Sequence, residues 1–211
     1  MSLHEESVAA YLRGLALQDE DALLAEMHGL ALERSFPIVG PEVGRFLAQF
    51  VRLTGARRIF EMGSGFGYSA LWLGRALPEA GELFCTDGDA ANLELARGFH
   101  ARAGIASRVT YLRGHAQDLL QVTPGLFDLI VCDVDKEEYP EIPELLRGHL
   151  RVGGALVIDN LLWDGRVADP DDEEPSTLGV RAFTLRMWAH PDYLCSLLPI
   201  RDGLGLCLRL R

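Results

Sequence analysis

Two short acidic motifs and one glycine loop hold the residues of this chain best suited to chemistry. Asp133-Val-Asp-Lys136 and Asp159-Asn160 each follow an apolar run that reads as a strand, residues 127–132 and 155–158. If those strands are neighbours, about 5 Å apart, Asp133, Asp159 and Asn160 converge on one edge of a sheet. Two carboxylates and an amide oxygen make a hard-oxygen set suited to Mg²⁺, Mn²⁺ or Ca²⁺, and no His or Cys stands nearby to favour zinc. Taken singly, each acid also fits a helix cap or a solvated strand end. Lys136 is the only lysine among the 20 basic residues. A primary ammonium is a compact charge with a tunable pKa, whereas a guanidinium never deprotonates in a protein. Chance in an arginine-biased composition also explains one lysine, but its place beside the acids argues for a role.

The glycine loop is Glu61-Met-Gly-Ser-Gly-Phe-Gly67, between a strand and a helix. Such a loop brings backbone N–H groups and a helix N-terminus close to a ligand; alone, it also fits a tight turn. The spacing is GxGxG rather than the GxGxxG of dinucleotide folds. Glu61 precedes the first glycine by two positions, where a pyrophosphate would meet a like charge and a cationic or zwitterionic ligand would not. Asp87 ends the next strand and can accept both hydroxyls of a ribose, while Asp89 is better placed to cap the helix that follows. A ribose, a positive charge and no pyrophosphate describe S-adenosylmethionine.

The elements that must position these residues alternate. Residues 7–14 and 19–28 read as amphipathic helices, followed by a Pro/Gly turn over 35–41 and a helix over 42–53. Strands are expected over 58–62, 83–87, 108–112, 127–132 and 155–158, and helices over 67–77, 90–103, 138–150 and 178–189. This predicts an α/β class, a Rossmann-like, doubly wound and mostly parallel sheet. The runs 194–199 and 204–210, joined by Ile200-Arg-Asp-Gly203, add a C-terminal antiparallel pair at one edge. The acidic, proline-bearing loop 163–176 fits either a mobile lid or a solvated surface loop.

Composition narrows the classes. The 211 residues are 48% hydrophobic and 24% charged, without the run of about eighteen apolar residues that a membrane span needs. His4, Glu5 and Glu6 argue against a secretory signal. One domain over 1–211 is expected, with 1–40 as an N-terminal helical cap on the substrate side. The formal charge of −11 disfavours nucleic acid as a main ligand. Cys85, Cys132, Cys195 and Cys207 all fall in apolar strand-like runs, as reduced core residues of a cytoplasmic protein would.

From residue 36 to 209 the chain resembles the cation-dependent O-methyltransferases of the catechol and caffeoyl-CoA type. The likeness rests on Glu61-Met-Gly-Ser-Gly-Phe-Gly-Tyr-Ser69, Asp133-Val-Asp-Lys136 with Tyr139, Asp159-Asn-Leu-Leu-Trp-Asp-Gly-Arg-Val167 and Leu198-Pro-Ile-Arg-Asp-Gly-Leu204. The resemblance implies S-adenosylmethionine contacts at Val39, Glu61, Gly63, Ser69, Asp87, Ala116 and Asp133. By the same likeness, Glu61 meets the amino acid end, Asp87 the ribose and Ala116 the adenine. It implies metal ligands at Asp133, Asp159 and Asn160, a base at Lys136, and a homodimer. His115 stands where many relatives carry Asp, and reads as a half-exposed residue at a strand end.

The reaction so implied is methyl transfer from a sulfonium to a hydroxyl oxygen of a small, catechol-like aromatic acceptor. A phenol of pKa near 10 is a poor nucleophile at pH 7, and a divalent cation lowers that value. Lys136 would take the proton or stabilise the oxyanion. Three alternatives stay open: O-methylation of a hydroxyuridine in tRNA, opposed by the acidic charge; a nicotinamide-dependent oxidoreductase, opposed by GxGxG and Glu61; and a non-catalytic binding protein, which has no need of Lys136.

Overall fold

The computed structural model describes residues 6–18 and 21–211. His4, Glu5 and the start of the expected second helix lie outside them. Three helices, α1 (Glu6–Leu17), α2 (Ala22–Arg34) and α3 (Gly40–Thr54), lead into the alternating part. There follow β1 (Arg58–Met62), α4 (Tyr68–Ala76), β2 (Glu82–Asp87), α5 (Ala90–Arg102), β3 (Val109–Arg113), α6 (Ala116–Val122) and β4 (Phe127–Cys132). A 3₁₀ segment (Lys136–Glu141), α7 (Ile142–His149), β5 (Leu150–Ile158), a 3₁₀ turn (Trp163–Ala168), α8 (Pro175–Trp188), β6 (Tyr193–Leu198) and β7 (Leu204–Arg209) complete the chain.

The strands form one sheet in the order β3-β2-β1-β4-β5-β7-β6. The first five strands run parallel, and β7 joins β5 antiparallel with β6 at the edge. Successive residues serve opposite faces, as a period of two requires. Ile59 packs under α3 and α4 with Leu47 and Leu71, while Phe60 and Met62 pack on the other face with Phe127, Tyr139 and Phe183. Burial on both faces is why these strands read as short apolar runs. The chain winds outward from β1 to β3, then returns to β4 beside β1. A crevice therefore opens between β1 and β4 at their carboxyl ends.

The α/β class and the antiparallel edge pair match the sequence reading, and all four cysteines lie in strands as free thiols, three buried and Cys195 half-buried. Three elements differ. The helix expected over 138–150 is split: Pro140 lies inside the 3₁₀ segment and has no amide to donate, and Pro143 sits in the first turn of α7, where no donor is missed. Strand β5 begins at the buried Leu150 and exposes Val152 and Gly153 beside a register shift against β4. Helix α6 was not anticipated: it has seven residues and no side-chain cap. The loop before α8 is tied down. Arg181 donates to the carbonyl oxygens of Arg166, Val167, Asp169 and Asp172, and Arg166 pairs with Asp172 at 2.7 Å.

Candidate active site

The glycine loop leaves β1 and is fastened to the end of β2 by one threonine. Thr86 Oγ1 donates to the Glu61 carbonyl at 2.9 Å and accepts from the Gly63 amide at 3.2 Å, while the Ser64 amide bonds the Thr86 carbonyl at 2.8 Å. Gly63 has φ +82°, and a Cβ there would stand 2.2 Å from the Asp133 carbonyl oxygen. Only glycine lets the loop pass this close to the end of β4. Asp89 caps α5 by accepting from the Ala91 amide at 2.9 Å, so Asp87 is not needed as the cap. One Asp87 oxygen accepts from the Asp89 amide at 2.7 Å and from Asn92 Nδ2 at 3.2 Å.

Glu61 is 1% exposed and neither carboxylate oxygen has a hydrogen-bond partner. Burial pushes it up to about 7 from 4.5; Ser69 and Cys85 stand near enough to offset this in part, without reaching hydrogen-bond geometry, and Asp133 adds to the rise. A carboxyl group raised on folding stabilises the protein below its unfolded value and loses that contribution as pH rises through the folded one. The ligand-free protein is therefore expected to lose up to about 3 kcal/mol of stability between pH 4.5 and 7 at this residue. Glu61→Gln removes the loss. The melting temperature of the variant relative to the parent should climb across that window; a constant difference would contradict the buried, unpaired state.

At the neighbouring strand ends the sheet ladder runs on by two bonds. The Asp133 amide donates to the Met62 carbonyl at 2.9 Å and the Asp159 amide to the Cys132 carbonyl at 3.1 Å, which fixes both carboxyl groups in the crevice. Asp159 is 7% exposed, and burial together with the Asp133 charge raises it to about 7. Asn160 follows in the left-handed region at φ +60°. Its Nδ2 donates to Asp202 Oδ2 at 3.0 Å, leaving Oδ1 as the free end of the amide. Lys136 is 8% exposed and its Nζ donates to Asp133 Oδ1 at 2.9 Å and to the Val134 carbonyl at 3.0 Å. The ammonium also lies 5.0 Å from the ring centre of Tyr139 and 5.6 Å from that of Trp163. Tyr139 reaches on to the Asp159 carbonyl at 2.8 Å.

These groups share one cavity of about 860 Å³. Val39, Gly63, Ser69, Asp87, Ala116, Asp133, Lys136, Asp159 and Asn160 all line it; of the expected site residues only Glu61 does not, standing behind the wall. No cluster of three or more His, Cys, Asp or Glu side chains suited to a metal occurs among the described residues. The oxygen set here has two carboxylates, and its third member is an amide. His115 is 46% exposed at the start of α6, as expected of a half-exposed residue, and pairs with Glu138. Sequence reasoning gave no role to Thr86, Gln117 or Asp202. Asp202 appeared only within the closing turn motif, and its pairing with Asn160, 42 positions earlier, left no local signal.

A family model described as O-methyltransferase matches residues 16–210. A catechol O-methyltransferase of Niastella koreensis is 34% identical over 214 residues, covering 96% of each chain. Tricin synthase 2 of rice, Oryza sativa, is 30% identical over 99% of this chain and 76% of its own. Among solved structures, the O-methyltransferase TomG of Streptomyces achromogenes, in complex with S-adenosylmethionine, superposes with a TM-score of 0.87 at 32% identity, covering 97% of this chain and 96% of that one. An O-methyltransferase from Bacillus cereus, bound to S-adenosylhomocysteine, gives 0.86 at 29% identity over 96% and 97%. Among the described residues no helix is long and apolar enough to cross a membrane. The match along almost the whole chain, on a sheet of this order with its cavity at the β1–β4 crevice, shows that the protein belongs to the O-methyltransferase family and is an S-adenosylmethionine-dependent enzyme.

Proposed function

We propose that the enzyme methylates one hydroxyl of a small catechol-like aromatic acceptor held beside a divalent cation. The observation that supports this most is the juxtaposition of Asp133 and Asp159 on adjacent strand ends, with Lys136 Nζ 2.9 Å from Asp133. The names of two relatives, a catechol O-methyltransferase and a tricin synthase, point to phenolic acceptors. In this reading Asp133, Asp159 and Asn160 hold Mg²⁺, or alternatively Mn²⁺ or Ca²⁺, and their oxygen-only chemistry fits such an ion. A cation bound there would lower the pKa of an adjacent phenol. Lys136 takes up the phenolic proton as the neutral amine, or as the ammonium stabilises the oxyanion, and its buried, ring-flanked Nζ has little freedom to leave the site.

The donor lies along the sheet edge in the same reading. Glu61 faces its ammonium from behind Ser69, Gly63 allows the close backbone approach, and Asp87 takes the ribose. Val39, Ala116 and Asp133 complete the walls. Homodimer assembly and a cytoplasmic location rest on the family resemblance and the sequence alone.

Labelled S-adenosylmethionine offered with small catechols, CoA thioesters of dihydroxy acids and tRNA bearing a hydroxylated wobble uridine tests the acceptor. Transfer to a vicinal diol is expected; transfer to tRNA alone would overturn the assignment. For the donor site, Asp87→Ala should cost about 1.5–3 kcal/mol of S-adenosylmethionine binding, the worth of hydrogen bonds to a charged group. Unchanged affinity by calorimetry would leave Asp87 only its local bonds to Asp89 and Asn92.

A further inference from the structure

In the register of the β6–β7 pair, Cys195 stands directly opposite Cys207. Residues so opposed in an antiparallel pair have Cα atoms about 4.5 or 5.5 Å apart, and a disulfide spans roughly 4.4 to 6.8 Å. A bridge therefore fits either kind of pair with no change of register. Both side chains meet the same core, which holds Phe183 and Met187 of α8, and Cys195 Sγ donates to the Met187 carbonyl at 3.6 Å. The other two cysteines have no such partner. Cys85 on β2 and Cys132 on β4 are separated by β1, and Cys132 is separated from Cys207 by β5. Two strand spacings come to about 9 to 10 Å, beyond the reach of a disulfide.

The two thiols differ in reactivity. Cys207 is buried, whereas Cys195 is half-buried on β6, the edge strand, where a small oxidant has the shorter way in. The adjacent Cys207 thiol draws the Cys195 pKa down, while the same neighbour and burial raise that of Cys207. The thiolate is the attacking form, so the first oxidation belongs to Cys195. We infer that Cys195 and Cys207 are a redox site, closed by a peroxide to a cross-strand disulfide that locks the β6–β7 hairpin. The Cys195 thiolate attacks one peroxide oxygen, giving the sulfenic acid, and the other oxygen leaves as hydroxide and takes up the proton that Cys195 lost. The Cys207 sulfur then attacks the sulfenic sulfur; the S–S bond forms, and the hydroxyl leaves with the Cys207 proton as water. Two thiols are oxidised and one peroxide is reduced to two waters. The hairpin so locked supports the active site from its turn. Arg201 donates to the Ile38 carbonyl at 3.2 Å, and Asp202 accepts from Asn160 Nδ2 at 3.0 Å and from the Asp164 amide at 2.6 Å.

Treatment of the folded enzyme with hydrogen peroxide, then alkylation and peptide mapping, tests this. A cross-link between the Cys195 and Cys207 peptides is expected, reversed by dithiothreitol, with Cys85 and Cys132 still open to alkylation once the chain is unfolded. The melting temperature of the oxidised parent should rise by about 5 °C, because the bridge restricts the unfolded chain without moving the hairpin. Neither Cys195→Ser nor Cys207→Ser should show that rise. Cys207→Ser keeps the first thiol and lacks the second, so dimedone should trap a sulfenic acid at Cys195; Cys195→Ser should leave Cys207 unmodified. Should either variant not fold, mapping and melting of the parent decide the matter. Cys195 oxidised further with no cross-link, a bridge joining two chains, or a cross-linked enzyme that melts no higher than the reduced one would each overturn the inference.

Discussion

Lys136→Arg is expected to lower the single-turnover rate of methyl transfer by about 10² to 10⁴, the usual worth of a positioned acid or base, while S-adenosylmethionine binding stays nearly intact. The side chain is 8% exposed, and its Nζ is held between Asp133 Oδ1 and the Val134 carbonyl at 2.9 and 3.0 Å. Arginine keeps the positive charge but cannot give up a proton, and its planar fork does not match a point donor set between two ring faces. Lys136→Met separates the two roles open to the residue. If Lys136 only stabilises the oxyanion, arginine recovers much of the rate and methionine does not. If it is the base, both variants fall together. Parental rates from both would move the proton transfer to another group.

Chelation with EDTA is expected to abolish activity on a vicinal diol, and Mg²⁺ or Mn²⁺ to restore it. The physical reason is the crowding of two carboxyl groups in a site that is otherwise short of positive charge. Asp159 is buried beside Asp133, and that like charge adds to the burial in raising it. Lys136 engages one Asp133 oxygen, and Asn160 brings an uncharged oxygen with its nitrogen committed to Asp202. Asp159→Ala removes one of the two proposed charged ligands, so added metal should not rescue it. Calorimetric titration of Mn²⁺ gives a readout independent of turnover: binding to the parent and its loss in Asp159→Ala are expected. Full activity in the chelated enzyme, or equal Mn²⁺ binding by both proteins, would remove the cation from the assignment.

Much of this architecture was legible in the order of residues because the signals are local. A parallel strand buried on both faces is mostly apolar, so the runs Ile59-Phe60 and Leu129-Ile-Val-Cys132 announce themselves. The turn after each strand must supply glycine or an acid, so Gly63, Asp87, Asp133 and Asp159 mark the carboxyl edge before any packing is known. Even the antiparallel pair at the end follows from the turn Ile200-Arg-Asp-Gly203.

What tertiary structure alone decided are the partnerships between residues far apart in the chain. Asp202 orients the Asn160 amide from the β6–β7 turn, and Glu138 orients Gln117 from beyond β4; neither pairing leaves a trace in local spacing. Arg181 ties down the loop before α8, which composition alone could not separate from a mobile one. Glu61, expected at the donor's amino acid end, does not line the cavity and its carboxylate is unpaired, since sequence shows a residue's position on a strand but not what stands in front of it. Residue type and period thus determined the sheet, its carboxyl edge and the chemical groups along that edge. The direction of each polar group depends on hydrogen bonds that exist only once distant segments have packed together.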